Sequence, residues 1–200
     1  MTPFTTLKAV AAPMPIANID TDQIIPARYL SKPRSEQKDG MFRDMRFTRD
    51  GQARPEFVLN QQPYAKARII VAERNFACGS SRENAVTSML DNGFKAFIAP
   101  SFGDIFFNNC FQNGCLPIVL PEARVSELLR FLLELPGAEI SVDLAAQTVT
   151  GPDGKVETFD VDPFRKECLL QGLDDVTLTL QFDGEIAAFE ARHKAELPWL

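Results

Sequence analysis

The chain has 200 residues, 45% of them apolar, enough for one domain with a real core. Its formal charge of -6 and pI near 4.9 exclude nucleic acid and anionic membrane as bulk partners, so an anionic ligand would need a local cationic pocket. No apolar run approaches the roughly 20 residues of a membrane span.

The opening Met1 to Lys8 lacks the charged start and apolar core of a signal peptide, so the cytoplasm is the expected compartment. Leu7 to Pro13 reads as a strand. A turn held by Asn18, Asp20 and Asp22 follows, because Asx side chains bond to nearby backbone. The apolar Ile24-Ile25 is then stopped by Pro26. Asp20 fits the turn role alone, whereas Asp22 and Arg28 are candidates to reach a ligand. Ser31 to Gly40 carries Lys32, Arg34, Glu36, Lys38 and Asp39 and almost no apolar residue, the composition of a surface loop. A loop of this length, about 31–47, is expected to be mobile and to serve as a lid or partner surface. Asp50-Gly51 is a turn.

Arg68 to Ala72 is β-rich, Ala85 to Leu90 has a helical pattern, and Lys95 to Ala99 is β-rich again. That order predicts a parallel strand–helix–strand crossover. Between its first two parts lies Asn75-Phe76-Ala77-Cys78-Gly79-Ser80-Ser81-Arg82-Glu83-Asn84. Small residues at a strand exit are where open α/β sheets place ligands. Ser80 is placed to be an N-cap, with Glu83 completing a capping box. Arg82 adds a planar donor fork suited to a carboxylate. Two hydroxyls, a guanidinium and a helix N-terminus describe a site for a small polyanionic acid. The plainer alternative is that Ser80 only caps a helix and Arg82 is solvated.

Phe102, Ile105, Phe106 and Cys110 have helical spacing, ended by Asn113-Gly114. Leu116 to Leu120 reads as a buried strand and Glu122 to Leu135 as an amphipathic helix. Three short strands follow, from Ile140, Gln147 and Val156. Asp162-Pro163 starts a helix that Gly172 ends. Val176 to Gln181 and Glu185 to Lys194 read as two further helices. The one histidine, His193, lies in that charged tail and is not expected to be catalytic. Cys78, Cys110, Cys115 and Cys168 have no C-x-x-C spacing, so neither a structural zinc nor a self-contained iron–sulfur cluster is expected; free thiols are the simplest account.

Several segments together carry a resemblance: Gly79-Ser80-Ser81-Arg82-Glu83, Asp20-Thr21-Asp22 to Ile25-Pro26, and Ser101-Phe102 through Asn113-Gly114 to Leu116-Pro117. Asp162-Pro163-Phe164-Arg165, Gly172-Leu173-Asp174-Asp175 and the closing Pro198-Trp199 extend it over nearly the whole chain, in order. The chain resembles the small subunits of bacterial 3-isopropylmalate dehydratase, the aconitase superfamily's swivelling domain made as a separate polypeptide. The resemblance implies an α/β fold, a β/β/α domain with a mixed, partly parallel sheet flanked by helices. It implies a single domain over 1–200 with a helical extension over about 162–200. It implies a large-subunit partner carrying a 4Fe–4S cluster, no cofactor or metal in this chain, and a hydroxy diacid as substrate. By the same resemblance Ser80 is the base, Ser81 and Arg82 bind a substrate carboxylate, Asp22 lies near them, and Arg28 is a second clamp. Asn84 departs from the family, which usually carries histidine after Arg-Glu. Paralogues acting on citramalate, a dimethylmalate or homocitrate, and a non-catalytic partner subunit, therefore stay open as alternatives.

Overall fold

The computed structural model describes residues 1–197 and 199; Pro198 of the closing Pro198-Trp199 pair lies outside the described residues. Seven strands form one mixed sheet in the order β4-β3-β2-β1-β5-β6-β7. They are β1 (Thr6–Met14), β2 (Ile69–Ala72), β3 (Ala96–Ala99), β4 (Leu116–Val119), β5 (Glu139–Asp143), β6 (Thr148–Thr150) and β7 (Val156–Thr158). β1 to β4 run parallel, with Ala11 opposite Ile69, Ile69 opposite Ala96 and Ala96 opposite Leu116. β5 lies antiparallel on the other edge of β1, and β6 and β7 extend it as a meander.

Between β1 and β2 come α1 (Thr21–Ile24), α2 (Arg34–Gln37) and α3 (Arg43–Arg46). The crossover helices α4 (Glu83–Asp91) and α5 (Asp104–Gln112) follow β2 and β3. Then come α6 (Glu122–Glu134), α7 (Pro163–Gln171), α8 (Asp175–Leu180) and α9 (Asp183–Glu196). Among the described residues no helix is long and apolar enough to cross a membrane.

β2 and β3 are buried on both faces, which is why they read as unbroken apolar runs rather than alternating ones. Ile70, Ala72, Phe97 and Ala99 pack with Ala85, Val86 and Met89 of α4 and with Phe106 and Cys110 of α5. Ile69, Val71, Ala96 and Ile98 pack on the other face with Val125, Leu128, Leu129 and Leu132 of α6. The alternation of side chains along each strand thus feeds two separate cores. Residues 31–47 fold into short helical turns, and Met41 and Phe42 are buried under them. Burial pushes the Cys110 thiol up, helped by Cys115, and pushes Cys115 up to about 12, so both stay neutral thiols inside the core.

Candidate active site

The loops that leave the C-terminal ends of β1, β2 and β3 are stitched to one another before any helix begins. The Cys78 amide donates to Ile19 O at 3.2 Å and the Thr21 amide to Cys78 O at 2.9 Å. The Phe76 amide donates to Ser101 O at 3.0 Å, and the Gly103 amide returns to Phe76 O at 2.9 Å. Asn75 Nδ2 donates to Asn18 Oδ1 at 2.9 Å, and the Asn75 amide to Ser101 Oγ at 2.8 Å. The tight path forces Asn18, Asn75 and Ala77 into the left-handed region, with φ of 57°, 58° and 56°. Glycine stands where no side chain fits. A Cβ on Gly103 would lie 2.4 Å from Ala77 O, and Gly79 itself has φ of 93°.

Ser80 and Ser81 emerge from this scaffold exposed to solvent. Ser80 is not the N-cap that its spacing to Glu83 predicts. Its carbonyl accepts from Thr21 Oγ1 at 3.0 Å, which keeps the chain extended past it. The cap position falls on Arg82, with no side-chain capping bond, and α4 begins at Glu83. Glu83 accepts from Asn113 Nδ2 at 3.0 Å instead of closing a box. The capping box is real one loop earlier: Asp20 caps α1, with Gln23 bonding back to it.

Arg82 and Asp22 are brought together. Arg82 Nη1 donates to Asp22 Oδ1 at 2.5 Å and to Ile25 O at 3.3 Å. The Arg82 side chain is 15% exposed and that of Asp22 55%, so the pair sits at the mouth of the scaffold. Both protons of Nη1 are thereby used, while the Nε–Nη2 edge has no partner among the described residues. That edge is the geometry a carboxylate takes in bidentate fashion.

Arg28 lines a different cavity. It pairs in bidentate fashion with Asp44, one of the two contacts measuring 3.0 Å. The Arg28 guanidinium, by that hydrogen bond, holds the Asp44 carboxyl below the usual carboxylate range and is itself raised.

The cleft of about 380 Å³ beside Ser80 is lined by Cys78, Gly79, Phe102, Gly103 and Asp104 among others. Asp104, absent from the sequence-based set, is an exposed first-turn acid of α5. It places a carboxylate in the lining of the cleft that Ser80 shares. The Asp-after-Gly start of a helix is the one signal that could have pointed to it.

Asn84 faces the other way. Its Nδ2 donates to Gln37 Oε1 at 2.7 Å, and the buried Gln37 donates on to Lys32 O at 2.9 Å. Asn84 therefore latches the 30–37 segment to α4. No three His, Cys, Asp or Glu side chains gather as a metal-holding group among the described residues. The four cysteines are free.

Comparison with known proteins agrees along the length of the chain. Residues 1–123 match the Aconitase C-terminal domain, and 126–163 match LeuD_N. Residues 175–200 match the C-terminal domain of the 3-isopropylmalate dehydratase small subunit. The 3-isopropylmalate dehydratase small subunit of Paramagnetospirillum magneticum is 53% identical, over 100% of both chains. That of Rhodospirillum centenum is 52% identical, over 100% of this chain and 98% of its own. The crystal structure of 3-isopropylmalate dehydratase from Methanocaldococcus jannaschii matches with a TM-score of 0.65 at 25% identity, over 92% of this chain and 99% of that one.

Proposed function

The chain belongs to the family of 3-isopropylmalate dehydratase small subunits, and from that premise we propose how its own residues serve the reaction. As one half of a two-subunit hydro-lyase of leucine biosynthesis, it acts in isomerising 2-isopropylmalate to 3-isopropylmalate. Water is removed and then added back, so that the hydroxyl moves to the adjacent carbon. The reaction runs in the cytoplasm with a large subunit that carries a 4Fe–4S cluster. That group, bound in the partner, supplies the Lewis acid for the departing hydroxyl.

This chain supplies the base and a carboxylate clamp. Ser80 Oγ takes the proton α to a substrate carboxylate and later returns it. A serine hydroxyl is a weak base, so an anion on Oγ needs donors around it. The Glu83 and Asn84 amides at the start of α4, which donate to no backbone carbonyl among the described residues, lie just beyond Ser80 in the chain and carry the positive end of the helix dipole. Ser81 and the open edge of Arg82 receive the carboxylate. Asp22 and Ile25 O hold the opposite edge of the guanidinium, which keeps the open edge aimed outward.

The observation that carries the reading is the corner itself. Two exposed hydroxyls and an Arg82 edge without a partner among the described residues stand together at the C-terminal ends of parallel strands. Asn84, where the family usually carries histidine, is turned to Gln37 and leaves the corner unchanged, so a paralogous acid such as citramalate, a dimethylmalate or homocitrate would meet the same corner. The test is to mix the chain with a cluster-bearing large subunit and follow alkene formation from 2-isopropylmalate. Turnover by the pair, and by neither chain alone, is the expected result. Turnover with another hydroxy diacid only would move the substrate. Assembly without turnover on any of them would make the chain a non-catalytic partner.

A further inference from the structure

Four arginines converge on a pocket of about 610 Å³ that shares no lining residue with the cleft at Ser80. Arg28, Arg43, Arg49 and Arg54 line it, with Asp44 as the one carboxylate among the lining side chains. The surplus is three positive charges in a chain whose net charge is -6. Arg43, Arg49 and Arg54 have no acid within 4.0 Å among the described residues.

Arg28 is paired with Asp44, whereas Arg43 and Arg54 are held by neutral groups. Arg43 lies over the Phe47 ring at 4.3 Å, and Arg54 Nε donates to Phe47 O at 3.3 Å. A small hairpin sets their spacing. The Thr48 amide donates to Gln52 O at 2.8 Å and the Arg54 amide to Arg46 O at 2.8 Å, around a turn in which Gly51 has φ of 81°. Asn60 Nδ2 ties both strands, donating to Arg46 O at 2.6 Å and Arg54 O at 2.9 Å. A pinned hairpin that gathers like charges raises the energy of the empty pocket, and an anion would lower it. The concavity and volume suit a small ligand rather than a flat protein face.

We propose that this pocket is a second anion site, taking a small oxyanion with two or more charges, either a phosphate or a polycarboxylate. It stands apart from the carboxylate clamp at Arg82 and does not rest on the function assigned to that corner.

Calorimetric titration of inorganic phosphate, and separately of tricarballylate, into the full-length chain tests it. At least one should bind saturably, and the one that binds identifies the ligand as phosphoryl or polycarboxylate. Arg43→Gln with Arg49→Gln should weaken that binding about tenfold or more, the loss expected of charge-assisted contacts. Arg82→Gln should leave it unchanged. Arg49→Gln alone, at an exposed hairpin position, covers the case in which the double variant fails to fold. Binding should persist in the complex with the large subunit. The proposal is overturned if neither anion binds saturably, or if Arg82→Gln removes the binding and the hairpin variants keep it. It is also overturned if assembly abolishes the binding, because an acidic face of the partner would then fill the pocket.

Discussion

Arg82 is held on one edge and open on the other, and that division sets what its loss should cost. Replacing it with glutamine removes a charge-assisted contact worth about 2 kcal/mol, roughly thirtyfold in kcat/KM of the assembled enzyme. The fold should survive, since the side chain is anchored through Asp22 and one carbonyl rather than through the core. An unchanged kcat/KM would remove Arg82 from the site. The residue types of this corner were legible in the sequence, because glycine, two serines and arginine at a strand exit make a chemically narrow set. Their orientation was not. The Ser80–Glu83 spacing fits a capping box, yet the box fails because Thr21, from a distant loop, takes the Ser80 carbonyl. Nothing local to residues 79–84 encodes Thr21. Arg28 is a similar case: its partner Asp44 lies 16 residues on, inside a segment with no periodicity.

At the scale of elements, the strand-exit loops form the platform and Gly103 is its tightest point. Gly103→Ala would drive a Cβ to within 2.4 Å of Ala77 O and 3.0 Å of Cys78 Cα, and backbone cannot yield as a side-chain tip can. The expected destabilisation is about 1–3 kcal/mol, read as a drop in Tm of about 2–4 °C for each kcal/mol at this chain length. Activity should fall further than stability, because the displaced backbone carries Ser80. A variant that melts and turns over like the parent would show that the platform tolerates movement. The second element-scale prediction concerns α8. Its cap, Asp174, has its carboxyl lowered to about 2 by the Thr177 amide, the Thr177 hydroxyl and the N-terminal amine of Met1. A carboxyl lowered on folding contributes stability above its unfolded value of about 3.9, and that contribution drains away as pH falls from there toward 2. Carbon-detected NMR titration of the Asp174 carboxyl should give that low midpoint. A midpoint in the ordinary carboxylate range would mean the cap and the Met1 contact do not form in solution. Periodicity located the sheet strands and α4 to α6 to within a few residues, because each is long or apolar enough to show its pattern, and the Asp162-Pro163 start and Gly172 stop bounded α7. The turns at 31–47 were not legible: their order comes from single contacts such as Arg34 with Asp91 and Asn92 with Lys38 O, far apart in sequence.

Taken whole, the molecule distributes its stability unevenly. The two cores on either face of the sheet bury α4, α5 and α6, whereas α8 and α9 bury no residue at all. Phe182 and Phe189 are each 53% exposed, with Ile186 and His193 on the same face at helical spacing. α9 has 14 residues, near the length at which an isolated helix is marginal in water. Without a buried face, its hydrogen bonds must open by local fraying rather than by global unfolding. Hydrogen exchange on the free chain should therefore show α9 amides within about tenfold of unprotected peptide. The amides of α4 and β3 should in contrast exchange only with global unfolding. Protection of α9 equal to that of α4 would mean that the helix packs against something the single chain hides, and the separation between a rigid two-core body and a loosely held C-terminal helix would not stand.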